Sequence, residues 1–484
     1  MLHATCTPIP ALLNFAAWIR QQNATLSPAL EIRCNGSRRG IYVKEGATVN
    51  AGDQLLSVPL QLFMTNDNAF AEPDLANLGV SGTNRIALFL LSQRENGAFW
   101  NPYVRALPSS FSTTLAWSDM ELSELQASDL AEHASVRARA VEQNRQALLQ
   151  ALPSESWLVG LLSHERWRWA LTMVWSRGHR IWMPSSQTAD GGVGAEPAVS
   201  ASAQGVMAPL IDMFDHAVDA NVGSVTILPQ ARDGSPRLAA LYATKPMASG
   251  EAATVPYGGG GALPNARLIF DYGFCMAYDP LRDGVEEVSV PLRPLDPAAL
   301  AAQPERAAVL ERLQLQQTTP PRLHAGASGK LPLELLVFAR LLVGTASTRD
   351  AMATELRAIM ATPAAYGEGA AQMPAVRGYI RDMLIARLRE YRTTREEDEL
   401  LLEGTPMAVR QEDQTGGKAA SDAKREATRD EVAATAADAE DGEASHRWYC
   451  AIRLRWAEKA ILEHWIEKLQ PRHGEQTTEQ KSEL

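Results

Sequence analysis

Pro209-Leu210-Ile211-Asp212-Met213-Phe214-Asp215-His216 and, further on, Val255-Pro256-Tyr257-Gly258 are the two stretches on which the reading of this chain turns. In the first, Asp212, Asp215, His216 and Asp219 fall within eight residues. Carboxylate and imidazole are metal ligands, and a helix would set Asp212 and His216 on one face. Pro209 and Gly223, however, bracket a segment that need not be helical, and no second His/Asp cluster exists to complete a ligand set. His164-Glu165 opens like a zinc-binding helix, but Arg168 stands where the second histidine is required. No metal is expected. In the second stretch Tyr257 ends a short strand and Gly258 to Gly261 follow it. A phosphate-binding loop needs a Lys-Ser/Thr pair opening a helix. Ala262-Leu263-Pro264 comes instead, so the glycines read as a permissive loop. No Gly-x-Ser-x-Gly elbow is present.

Outward from these stretches the chain alternates in character. Leu12, Phe15 and Ile19 carry helical spacing. Leu30 to Cys34, Gly40 to Lys44 and Gln54 to Val58 read as short strands, with turn chemistry at Asn35 to Arg38 and Val49 to Asp53. From about 84 to 180 the periodicity is helical: Arg85 to Leu91, Ser118 to Leu125 and Leu130 to Leu152. Trp167, Trp169 and Trp175 read as core. Residues 184–205, rich in Ser, Gly and Ala, read as a flexible loop. A second β unit, Leu238 to Thr244 and Glu251 to Tyr257, is closed by Leu268 to Tyr278. Beyond about 280 the chain reads as helical: Ala299 to Leu315, Leu333 to Val343, Asp350 to Met360, Ala375 to Tyr391 and His446 to Leu469. Residues 404–445 contain almost no large apolar side chain and cannot repay their ordering entropy, so they are expected to be disordered. Each β piece is too short to stand alone, so the two are expected to combine across the helical insert. The fold class is α+β, with a first domain over 10–280 and an all-α domain over 281–484.

Composition narrows the function. The 484 residues are 45% hydrophobic, enough for more than one core. The formal net charge of -11 makes nucleic acid an unlikely partner, since such binding needs a basic surface to release counterions. No apolar run reaches the roughly 18 residues that span a bilayer, so no membrane partner is expected. Cys6, Cys34, Cys275 and Cys450 are scattered, which fits reduced thiols better than a disulfide framework.

Six collinear segments then resemble one family. They are Arg39 to Val43 with Ala51 to Pro59 and Met64-Thr65; Trp100-Asn101-Pro102-Tyr103 with Leu107-Pro108; Trp167 to Ala170 leading to Ser176-Arg177; Pro209 to His216; Tyr257-Gly258 with Asn265 to Leu268 and Asp271 to Phe274; and Tyr391 to Thr394 with Glu396-Glu397-Asp398. Arg453 to Arg455 and Glu458 to Leu462 look like a closing helix. Together they resemble the SET-domain protein methyltransferases of the Rubisco large-subunit methyltransferase-like family, over nearly the whole chain. The resemblance implies a SET domain of small β-sheets with knot-like threading, a rare exception to unknotted topology, followed by a helical domain that grips a protein substrate.

The same resemblance implies S-adenosyl-L-methionine as cofactor and an enzyme that methylates a nitrogen of a non-histone protein: a lysine, with histidine as the other acceptor among relatives. Tyr257 is implied as the catalytic tyrosine, and Tyr272 as a wall of the acceptor channel. Arg177 would meet the cofactor's carboxylate. Asp212, Asp215 and His216 would form the cofactor-binding crossing segment, and Phe274 would pack on adenine. Gly40, Ile41 and Tyr42 would offer backbone groups, Gly40 allowing close approach. Three departures stand out. Asp215 replaces the family's usual asparagine, and an ionised aspartate only accepts where an amide also donates. The glycine loop is longer than usual. His179 stands where relatives carry a pocket residue. Asp215 opens an alternative: a SET-fold binding or scaffold protein with impaired transfer. The family-like first helix begins near Pro10, which leaves little room for a transit peptide, so a cytoplasmic or nuclear monomer is expected.

Overall fold

The computed structural model describes residues 9–471 apart from 36–37, 72–74, 76–77, 81, 98, 185–200, 230–235, 314–319, 326–329, 345–347, 349, 355–372 and 406–441. The expected turn at 36–37, most of the 184–205 loop, the end of the Asp350–Met360 helix and the bulk of the 404–445 insert lie outside the described residues.

The N-terminal half opens with helix α1 (Ile9–Gln21) and strands β1 (Thr25–Leu26), β2 (Leu30–Asn35), β3 (Arg38–Val43) and β4 (Gln54–Pro59). Helices α2 (Asn66–Phe70), α3 (Gly82–Glu95), α4 (Asn101–Ala106), α5 (Asp119–Ser123), α6 (Asp129–Ala151) and α7 (His164–Arg177) form the insert. Local chemistry sets their starts. The Ser128 and Ser163 hydroxyls accept from the Leu130 and Arg166 amides, capping α6 and α7.

Strand β5 (Gly178–Pro184) follows α7 directly and pairs antiparallel with β6 (Ala201–Met207). This corrects the loop expected over 184–205. Its last residues are a strand, because the partner is supplied by Gly178–Pro184 and Ala/Ser/Gly carry no apolar alternation to betray it. The short strands β7 (Asp215–His216), β8 (Thr226–Ile227), β9 (Leu238–Tyr242) and β10 (Ala252–Val255) come next. Two four-stranded sheets result, in orders β1-β4-β9-β8 and β2-β3-β10-β7. The two β pieces therefore do combine across the insert. Ala253 lies opposite Ile41, and Ser57 opposite Ala240. Leu268 to Tyr278 does not continue the β unit: helix α8 (Asn265–Asp271) ends there in a tight turn at Gly273.

The C-terminal half carries α9 (Pro297–Ala301), α10 (Pro304–Leu313), α11 (Leu333–Val343), α12 (Pro374–Leu388), α13 (Arg395–Gly404) and α14 (Gly442–Lys468). Two expectations change. The single helix over Ala299–Leu315 is two, because Pro304 cannot continue a helix but readily starts one. The region is also not wholly helical: β11 (Val288–Ser289) pairs with β12 (Arg322–Leu323).

One core runs through the β sheets and insert, from Phe15 to Ala253 and including Trp167 and Trp169. A second draws on Val288 to Leu469. A third joins Leu125 and Leu130 of the insert, Ile269 and Cys275 beside α8, and Tyr449 to Leu454 of α14. Within it Cys275 and Cys450 form a disulfide, with Cα atoms 5.5 Å apart. This corrects the expectation of reduced thiols. Separation along a chain does not report distance in a fold, and α14 returns past α8 only through tertiary packing.

Candidate active site

Strand β10 delivers Tyr257 beside β7, the strand parallel to it, in which Thr254 lies opposite Asp215 and Val255 opposite His216. The phenol of Tyr257 donates to the Phe214 carbonyl at 2.8 Å. Its backbone N–H donates to His216 Nδ1 at 3.0 Å. Burial, with the Asp215 charge second, pushes the phenol pKa well above its ordinary range. The hydroxyl is therefore a neutral donor near pH 7, not a base. The turn after α8 completes an aromatic group. The Tyr272 ring centroid lies 4.8 Å from that of Tyr257, and Phe274 lies 6.2 Å from both Tyr272 and His216. Gly273 is required between them. Its φ is +82°, and an added Cβ would fall 2.6 Å from the Thr113 nitrogen and from the Ser112 carbonyl carbon.

Because His216 Nδ1 accepts, its neutral ring carries the proton on Nε2. Burial lowers the imidazole pKa against the opposing pull of the Val255 backbone. Nε2 is buried with no partner among the described residues. A buried donor of this kind needs an acceptor, so this position suits an acceptor atom.

Behind β7 a short helical turn, Ile211–Met213, follows Leu210, which has φ +71°. A branched residue held there is strained, as functional segments often are. Asp212 points into the protein. Its side chain is fully buried, and Oδ2 accepts from the Tyr103 hydroxyl at 3.0 Å. Arg177 donates to the Asp212 carbonyl at 2.8 Å and stands 3.9 Å from the carboxylate. Arg39, also buried, donates to the Ala106 carbonyl. Burial and the like charge of Arg177 push its pKa down to about 10, against the pull of Asp212 and Asp215. It is charged at neutral pH. Asp212 Oδ1 has no partner among the described residues. The guanidiniums of Arg39 and Arg177 are balanced here by the carboxylates of Asp212 and Asp215.

The structure gathers Tyr257, Tyr272, Phe274, Asp215 and His216 on one side, and Arg177 and Asp212 behind them. Ile41 and Tyr42 stand inside the sheet, paired with Ile32 and Glu31 on one side and Ala253 and Ala252 on the other. Gly40 is paired only with Arg33, and a Cβ there would lie 2.5 Å from Asp215 Oδ2. The missing side chain at Gly40 thus makes room for the Asp215 carboxylate. His179 lies on β5, its Nδ1 3.0 Å from the Arg177 carbonyl, and burial lowers its pKa. Sequence reasoning gave no role to Arg39 or Tyr103, although both sit inside quoted motifs. The only signal was an Arg before Gly40 and a Tyr within Trp100-Asn101-Pro102-Tyr103. Among the described residues no three His, Cys, Asp or Glu converge as a metal-binding group, and no helix is long and apolar enough to cross a membrane.

Comparison with known proteins agrees with this architecture. Residues 301–462 match the family model described as Rubisco LSMT substrate-binding. The chain is 37% identical over 82 residues to the chloroplastic Rubisco large-subunit N-methyltransferase of Nicotiana tabacum, which is 16% of this chain and 16% of that protein. It is 22% identical over 397 residues to the actin-histidine N-methyltransferase of Mus musculus, 78% of this chain and 61% of that protein. The alignments thus span less than two thirds of these relatives. A crystal structure of the SET domain of LSMT bound to lysine and AdoHcy superposes with a TM-score of 0.66 at 18% identity, covering 96% of this chain and 91% of that one. Rubisco LSMT bound to AdoMet superposes with a TM-score of 0.64 at 18% identity, covering 95% and 91%. The chain thus has the fold of these SET-domain structures, and its residues 301–462 match the Rubisco LSMT substrate-binding model.

Proposed function

We propose that this SET-fold chain is an S-adenosyl-L-methionine-dependent protein N-methyltransferase acting on a lysine side chain. The observation that carries the reading is the Tyr257 phenol, held neutral on the Phe214 carbonyl and walled by Tyr272 and Phe274. The cofactor supplies a methyl group already activated on a sulfonium, so what the protein contributes is alignment. Arg177 and Arg39 bring positive charge to the place where a carboxylate would sit. The Nε2–H of His216 offers a donor to adenine, beside which Phe274 supplies a ring face. Gly40, lacking a side chain, lets the Asp215 carboxylate sit against the strand on the cofactor side. The Tyr257 hydroxyl and the Phe214 carbonyl present oxygens around a transferred methyl, where C–H···O contacts strengthen as charge develops. Since Tyr257 keeps its proton, the acceptor nitrogen must arrive neutral, and the desolvated surroundings of the Tyr257 and Tyr272 rings favour that form.

The likeness to an LSMT SET domain bound to lysine supports lysine over histidine. The actin-histidine relatives keep histidine as the competing acceptor. The helical C-terminal domain supports a protein as substrate. The test is calorimetry with S-adenosylhomocysteine. Wild type is expected to bind, and Arg177→Met to bind about tenfold or more weakly, as for a lost charge-assisted bond. No binding by wild type would defeat the proposal. Binding with no transfer to any lysate protein would favour the scaffold reading that Asp215 raised.

A further inference from the structure

Arg137 lies on α6, far from the aromatic group in sequence, yet three of its contacts converge on the turn that supplies Tyr272. Its Nη1 donates to the Phe270 carbonyl at 2.8 Å and its Nη2 to Asp271 Oδ1 at 2.7 Å. Its guanidinium carbon stands 3.2 Å from the Phe270 ring centroid and 4.6 Å from that of Trp175. Phe270 and Asp271 immediately precede Tyr272, and Trp175 lies two residues before Arg177. One planar cation therefore ties the segment carrying Tyr272 to the helix end carrying Arg177. The side chain of Arg137 is only 16% exposed and that of Asp271 only 9%, so the pair is not a solvated surface bridge.

The chemistry of the guanidinium makes the tie specific. Its fork donates to two acceptors at fixed angles while its faces stack on rings. A lysine could satisfy the charge but not both functions. On the far side of Tyr272, Gly273 is pressed against the Ser112–Thr113 backbone, so the turn is held from two directions.

We propose that Arg137 is a positioning residue that holds the Tyr272 ring against Tyr257 and keeps it in register with Arg177. The proposal rests on the methyl-transfer reading for its effect on rate, but not for its effect on Tyr272. The experiment labels the protein with 3-fluorotyrosine and assigns the Tyr272 resonance with Tyr272→Phe. Arg137→Met is expected to shift or broaden that resonance while the melting temperature falls by no more than about 5 °C. The rate of transfer from tritiated S-adenosylmethionine to lysate protein, at saturating cofactor, is expected to fall about tenfold to a hundredfold. Affinity for S-adenosylhomocysteine is expected to change less than about threefold. Arg137→Lys, which keeps charge and stem, is expected to give an intermediate shift and serves if Arg137→Met does not fold. An unmoved Tyr272 resonance in a destabilised variant would make Arg137 a plain structural tie and overturn the proposal. If wild type transfers nothing, the functional reading falls while the resonance still decides the role of Arg137.

Discussion

Asp215 is the residue at which the sequence and the structure bear most directly on one another. The carboxylate lies beside Gly40 and close enough to Tyr257 to raise its phenol pKa. An amide could not do the latter. A carboxylate in this place attracts a sulfonium cation and does not attract the neutral thioether left after transfer. We therefore expect Asp215→Asn to change the affinity for S-adenosylmethionine relative to that for S-adenosylhomocysteine. A partly screened charge pair contributes about 1 kcal/mol, so the ratio should move against the charged ligand by roughly fivefold. Calorimetry of both ligands on both proteins measures it. An unchanged ratio would mean that Asp215 does not face the sulfonium. The family resemblance singled out Asp215, Tyr257, Tyr272 and Phe274, because they lie in its collinear motifs. It gave no part to Arg39 and Tyr103, because their role is defined by Asp212, a partner remote in sequence.

At the scale of elements, local chemistry read well where it was self-contained. Alternation exposed β2, bracketing turns marked β3 and β4, and helical periodicity exposed α6. It failed where an element depends on a distant partner, as with β6 and with the Cys275–Cys450 bridge. The segment after α8 shows the same dependence. Glu286 is 1% exposed, and its Oε2 accepts weakly from the Asn265 amide at 3.4 Å. Burial pushes its carboxyl up to about 8 from 4.5. The nearby Glu458 on α14, buried between Ser128 and Tyr391, is pushed up to about 7. A carboxyl whose folded pKa is raised keeps its proton in the folded state after the unfolded chain has lost its own. Stability is then greatest below the unfolded pKa and falls as pH rises towards the folded pKa. Melting temperature should accordingly decline from about pH 5 to pH 8. Glu286→Gln, neutral throughout, should flatten the decline. Parallel melting curves for the two proteins would contradict the assignment.

Over the whole molecule, the Tyr391 to Asp398 motif has a physical meaning that its resemblance alone did not give. Asp398 is fully buried and meets Lys459 at 2.6 Å and Arg455 at 2.9 Å, while Lys459 also donates to the Thr393 carbonyl at 2.7 Å. Arg455 reaches the Glu124 carbonyl of the insert at 2.7 Å, and Ser128 donates to Glu458 at 2.8 Å. Removing one partner would strand a buried charge, at a cost of about 3–5 kcal/mol. The network thus fixes the helical domain against the insert, and the third apolar core lies alongside it. The central proposal is that the site around Tyr257 transfers a methyl group to a protein nitrogen. Its most direct test is incubation of the purified protein with methyl-tritiated S-adenosylmethionine and an extract of cells lacking it, followed by hydrolysis and amino-acid analysis. We predict label in methyllysine from one or a few proteins, lost with Tyr257→Phe although that variant still binds S-adenosylhomocysteine. No label above the no-enzyme control, or equal label with Tyr257→Phe, would contradict the account.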